Sequence, residues 1–117
     1  MSVEECTVLA VEALEREVNN GGYSQFFINS AEFVPLVVAS LARIGCVKTA
    51  EVTERAISEL KLSRLSTEEI SRAMESENED RDTELGNYDD LYYNSGDDIA
   101  GQLFAFIKTN QAAIKLK

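Results

Sequence analysis

Apolar residues in this chain recur every third or fourth position, and only one residue, Pro35, is barred from a helix interior. Val3, Cys6, Leu9, Ala10, Ala13, Leu14 and Val18 share one helical stripe. No stretch alternates convincingly with the period of two that a half-buried strand needs. That pattern limits the chain to helix packed on helix.

The joints between helices carry recognisable stop and start signals. Ser2 and Glu5 have the spacing of a capping box. Asn19-Asn20-Gly21-Gly22 stops the first helix, with Gly22 expected in the left-handed conformation and Tyr23 packing back on Val18. Residues 23–28 are aromatic and β-branched, and Asn20-Gly21 could turn a hairpin, but the helix before them supplies no partner strand. A short helix is therefore predicted there. Asn29 or Ser30 caps the next helix, with Pro35 in its first turn, Phe33, Leu36, Val37, Leu41 and Ile44 as its buried stripe, and Gly45 at its end.

A further helix is predicted from 47 to about 62, with Ala50, Ile57 and Leu60 inward. Ser66 and Glu69 form a second capping box and open a helix that carries Ile70, Ala73 and Met74 and frays near Asn78. Leu85, Tyr88 and Leu91 are expected to hold the following stretch against the body. Asp97 is read as the cap of a last helix in which Ile99, Leu103, Phe104 and Ile107 face the core. The sum is an all-α fold, a single helical domain over residues 1–117 with six to seven helices and short joints.

Charge is distributed unevenly on that body. Residues 75–98 hold ten carboxylates and one cation, Arg81, whereas the remaining 93 residues are near neutral in a chain of net charge −10. An acidic segment on a balanced body is a surface built to meet something positive. The same charge repels phosphates, which argues against direct contact with nucleic acid or an anionic membrane. The segment 75–98, with Glu68 before it, supplies the candidate partner surface: Glu68, Glu75, Glu77, Glu79, Asp80, Asp82, Glu84, Asp89, Asp90, Asp97 and Asp98. On a continuous helix Glu68, Glu75, Glu79 and Asp82 would lie near one face. Tyr88, Tyr92 and Tyr93 beside the acids are candidate interface anchors. Tyr23, Phe26, Phe27, Tyr92 and Phe104 read first as core, with an apolar dimer seam as the functional alternative.

Chemistry of a catalytic kind finds little support. There is no histidine, so the commonest general base and neutral metal ligand is missing. Cys6 and Cys46 are too few for a structural zinc site; their apolar surroundings favour buried free thiols over the alternative, a disulfide between them. Asp80, Asp82 and Glu84 match the first three ligand positions of a calcium loop, but Leu85 replaces its glycine and Leu91 its closing glutamate. No catalytic residue, cofactor or metal is expected. The first residues lack the basic start of a signal peptide and no apolar run spans a bilayer, so a cytoplasmic protein is expected.

The stretch Asn20-Gly21-Gly22-Tyr23-Ser24-Gln25-Phe26-Phe27-Ile28-Asn29-Ser30 resembles the NGG-aromatic-x-Q-F-F-x-N-S pattern of a bacterial family, the DNA-mimic-protein-like family. Ala42-Arg43-Ile44-Gly45, Leu91-Tyr92-Tyr93, Asp97-Asp98-Ile99, Ile107 and Asn110 are similar to its later pattern, so the resemblance covers roughly residues 11–110. It implies an acidic, helical, dimeric protein without catalysis, whose surface imitates DNA phosphates and occupies a basic DNA-binding protein such as a transcription regulator. The matched residues look structural: glycines for a turn, aromatics for packing, Gln25 and Asn29 for hydrogen bonds at the joint. An immunity-type inhibitor of a basic nuclease or toxin would use the same charge, and a helical assembly module would need it only for solubility.

Overall fold

A computed structural model describes residues 1–114 as six α-helices joined by short turns, and no strand occurs among them. The helices are α1 (Val3–Asn29), α2 (Val34–Arg43), α3 (Val47–Ser58), α4 (Thr67–Glu75), α5 (Glu79–Tyr93) and α6 (Ile99–Thr109). Short 3-10 turns cover Ala31–Phe33 and Gln111–Ala113. The all-α expectation holds. No single helix among the described residues is long and apolar enough to cross a membrane.

α1 is the spine. It packs against α2, α4, α5 and, more lightly, α6, while α3 bridges α2 and α5. Its start is the capping box foreseen in the sequence, with the Ser2 hydroxyl accepting from the Glu5 N–H and Glu5 accepting from the Ser2 N–H. The two glycines break it, though not with a left-handed residue. Gly22 lies at φ 78 and ψ −175, an extended positive-φ conformation that is essentially open to glycine alone. Gly21, at φ −161, is ordinary extended backbone. Beyond the break α1 resumes from Tyr23, and Tyr23, Phe26 and Phe27 are all fully buried. Each such side chain contributes roughly 1.5–3 kcal/mol of apolar burial. The Tyr23 hydroxyl shares a buried 2.8 Å hydrogen bond with Thr53 Oγ1 on α3, so no polar atom is stranded.

One hydrophobic cluster draws residues from every helix, among them Leu14 (α1), Leu41 (α2), Ile57 (α3), Ile70 (α4), Leu85 (α5) and Ile99 (α6). Cys46 is buried and Cys6 half-buried, both as free thiols, and burial raises the Cys46 pKa to about 11, which leaves it protonated and unreactive.

Several details differ from the sequence reading. Ser30 makes no side-chain cap, and α2 instead follows directly on the 3-10 turn, with Pro35 in its first turn as foreseen. Leu36, assigned to the buried stripe of α2, is 42% exposed. α3 ends at Ser58 instead of near 62, stopped by a turn in which Lys61 sits at φ 53. α4 does not fray into the acidic stretch: it ends at Glu75, and the Asn78 side chain accepts from the Arg81 N–H to open a new helix. Asp98, one residue later than foreseen, caps α6 by accepting from the Gly101 N–H at 3.1 Å. Leu103 packs against the core as foreseen, but Phe106 takes the place expected of Phe104, which is 63% exposed.

Candidate functional site

The acidic stretch is a helix, not a loop. α5 runs for 15 residues, about 22 Å, with Leu85 and Tyr92 buried and Tyr88 packed partly against the core. Leu91, expected to help hold it down, is 46% exposed. Glu79, Asp80, Asp82, Glu84 and Asp90 stand out from it into solvent. Four of these charges fall within about 7.5 Å of helix rise, and Asp90 follows about 9 Å further on. Glu68 and Glu75 are exposed on α4, and Glu77 on the turn between α4 and α5. Because α4 and α5 are separate helices, Glu68 and Glu75 do not continue one face with Glu79 and Asp82.

Three other acids of the segment 75–98 accept hydrogen bonds at helix starts. Asp89 Oδ1 accepts from the Tyr23 N–H at 2.8 Å, the first amide after the break in α1. Asp97 Oδ2 accepts from the Thr49 N–H at 2.8 Å and its hydroxyl at 2.9 Å. Cys46, the N-cap residue of α3, provides no side-chain cap, so Asp97 supplies one from across the fold. Asp89, Asp97 and Asp98 therefore each cap a helix start, two of them at long range. Burial raises the Asp89 pKa against the opposing pull of the Tyr23 N–H, and Asp90 raises it further.

The single cation of the segment is no surface counter-charge. Arg81 is 8% exposed and donates Nη1 to the Ala73 carbonyl at 2.8 Å and Nη2 to the Ser76 carbonyl at 3.0 Å. These carbonyls lie at the C-terminal end of α4, where orphan acceptors concentrate. Among the described residues its one ion-pair contact is a long one, Nη2 to Asp82 Oδ1 at 3.4 Å, and its buried Nε has no hydrogen-bond partner. With the Arg81 side chain buried, the outer face is left mostly to the acids, and Lys61 shares a polar recess with Glu59, Asp80 and Glu84.

The tyrosines divide. Tyr92, a candidate anchor in the sequence, is 4% exposed, stacks edge-on against Tyr23 with ring centroids 5.8 Å apart, and donates its hydroxyl to Glu15 Oε1. It is core. Tyr93 is 54% exposed while its hydroxyl donates to the Val18 carbonyl at 2.8 Å, and Tyr88 is half-buried.

At the joint, Gln25 and Asn29 do make the hydrogen bonds foreseen for them, and the acceptor for both is Glu17. Oε1 of Glu17 takes Gln25 Nε2 at 2.8 Å and Asn29 Nδ2 at 3.2 Å, and Oε2 takes Arg16 Nε at 3.2 Å. The Gln25 amide first, then Asn29, hold the Glu17 pKa below its ordinary 4.5. A carboxyl whose pKa is depressed on folding stabilises the fold above its unfolded pKa and loses that contribution as pH falls through the folded value. Glu17→Gln is thus expected to destabilise at pH 7, with the difference from wild type in urea melts shrinking as pH falls below the ordinary 4.5. A difference that stays constant across this pH range would remove the charge from the account.

Among the described residues no three acidic or cysteine side chains converge as a metal site requires. A search of curated proteins and of solved structures gives no match. The DMP19-like protein family does match, over residues 1–110, and since that spans nearly the whole acidic helical body just described, the chain belongs to the DMP19-like protein family.

Proposed function

We propose that this protein is a non-catalytic DNA mimic of the bacterial cytoplasm that occupies the basic DNA-binding surface of a protein such as a transcription regulator. The observation that carries the reading is the outer side of α5: four exposed carboxylates crowded into its first two turns and a fifth near its end, with Arg81, the one cation of residues 75–98, buried. Glu68, Glu75 and Glu77 extend the negative surface beside it, whereas Asp89, Asp97 and Asp98 serve the fold first.

Helix energetics supports assigning those acids to interaction. Glu79, Asp80 and Asp82 fall in the first turn of α5, where the helix dipole favours negative charge. Asp90 falls in the last turn, where the dipole opposes it and no basic residue offsets it. An exposed acid held against its local electrostatics is better explained by a partner than by stability.

The test is competition. Salt-sensitive capture of a basic DNA-binding protein that duplex DNA reverses is the expected result, and association indifferent to both salt and DNA ends the proposal.

We further place a second copy of the chain on the outer side of α6. Phe104 there is 63% exposed, while the other aromatics once candidates for a dimer seam, Tyr23, Phe26, Phe27 and Tyr92, are buried within one chain. Phe104→Glu is expected to give a monomer in sedimentation equilibrium with unchanged helicity. A wild type that sediments as a monomer would refute the dimer.

A further inference from the structure

We infer that Arg81, Asp89 and Tyr93 are positioning residues that fix the angle at which α5 is presented, and that the charges of Arg81 and Asp89 take no part in recognition. The binding arm of this inference rests on the mimic reading; its structural arm does not.

α5 is fastened at both ends by side chains that reach backbone on other elements. At its start Arg81 grips the Ala73 and Ser76 carbonyls at the end of α4, at 2.8 and 3.0 Å. At its far end the attachment is to the break in α1. The Tyr23 N–H, in the first turn after the break, has no regular helical acceptor and donates to Asp89 Oδ1 at 2.8 Å. The Val18 carbonyl, in the last turn before it, accepts from the Tyr93 hydroxyl at 2.8 Å. Gly22 lets these groups meet: a Cβ there would lie 2.3 Å from Asp89 Oδ2. Both attachments use directional bonds to fixed backbone, so they define where the helix sits and how it is rotated about its axis. A partner that reads a spaced row of charges depends on both quantities.

The consequence runs against simple charge counting. Arg81→Gln makes α5 more negative by one, and Asp89→Asn makes it less negative by one while keeping the oxygen that accepts from Tyr23. If charge alone mattered, the first change would strengthen binding to a basic surface and the second would weaken it. Positioning predicts the reverse for Arg81→Gln and no change for Asp89→Asn.

The experiment uses the full chain and a homeodomain as a rigid, basic, DNA-binding probe. Expected are affinity reduced at least about threefold by Arg81→Gln and by Asp89→Ala, and wild-type affinity for Asp89→Asn. Amide exchange is followed on the same proteins. Arg81→Gln is expected to accelerate exchange at the start of α5, and Asp89→Ala at Tyr23 and the end of α5, by about tenfold or more, with α2 and α3 unchanged. Tyr93→Phe, which keeps the ring and loses one hydrogen bond, guards against a variant that fails to fold. It should show the smaller exchange change at the end of α5 alone. Tighter binding by Arg81→Gln, weaker binding by Asp89→Asn, or unaltered α5 exchange in Arg81→Gln and Asp89→Ala overturns the inference. A homeodomain that ignores the wild type counts against the mimic reading, and the exchange measurements still decide the positioning roles.

Discussion

Replacing Gly22 with alanine is expected to destabilise the protein by about 3–5 kcal/mol. Two independent costs combine. The backbone at φ 78 and ψ −175 is strained for any residue with a side chain, a penalty of about 1–3 kcal/mol. The new Cβ would also lie 2.3 Å from Asp89 Oδ2, so the carboxylate must leave. Its departure strands the Tyr23 N–H, worth a further 1–3 kcal/mol or so. Against a total stability of roughly 5–15 kcal/mol, the thermal midpoint should fall by about 10–20 °C.

The partition between the two costs is measurable. Asp89→Ala alone loses the hydrogen bond without straining residue 22. In the double variant the collision no longer exists, so the two changes should together cost about 1–2 kcal/mol less than their sum. Gly21→Ala is the control. Its backbone at φ −161 suits any residue, and the added Cβ meets chiefly the terminal amide of Gln25, which can swing aside at the expense of its bond to Glu17. That variant should stay within about 2 kcal/mol of wild type. A Gly22→Ala protein melting within a few degrees of wild type, or strict additivity with Asp89→Ala, would refute the account of the break.

That break also shows how far the sequence could be read. The glycine pair, the buried aromatics after it, the Ser2 box and the Ser66 cap were legible because each depends on residues within four positions. Gln25 and Asn29 were assigned to joint hydrogen bonds from their residue type, while the acceptor, Glu17, lay outside the pattern. What stayed hidden were contacts across the fold. Asp89 caps a helix 66 positions away and Asp97 one 48 positions away, and an aspartate that caps at long range looks like one that solvates a surface. Arg81 was invisible for the same reason, since nothing local marks an arginine for burial. Phe104 went wrong through α6 itself: Ile99, Ala100, Leu103, Phe104, Ala105, Phe106 and Ile107 circle the helix, so periodicity leaves its rotation undetermined. For the site, the sequence located the acidic row but could not separate acids that face outward from those that hold the body together.

Separating them gives the second large effect. Neutralising Glu79, Asp80, Asp82, Glu84 and Asp90 to their amides is expected to weaken binding to a basic DNA-binding protein by about 10²- to 5 × 10³-fold, taking roughly 0.5–1 kcal/mol per exposed pair. The fold should barely respond. Loss of first-turn acids removes about 0.3–1 kcal/mol each of dipole stabilisation. Relief of repulsion between Glu79 and Asp82, and between Asp80 and Glu84, returns about 0.2–0.5 kcal/mol per pair, and neutral Asp90 returns a similar amount. Affinity and stability therefore part company, and at Asp90 they move in opposite directions: Asp90→Lys should stabilise α5 by about 0.3–1 kcal/mol while weakening the complex. The five-fold amide variant should also show a shallower salt dependence than wild type, because five charged contacts are removed. Calorimetric titration at two ionic strengths, beside a denaturant melt of each variant, reads all of these quantities. If the five-fold amide variant binds as tightly as wild type, the acids serve solubility and recognition lies elsewhere on the molecule; if Asp90→Lys binds more weakly but is no more stable, the dipole argument for that residue fails while its place in the interface stands.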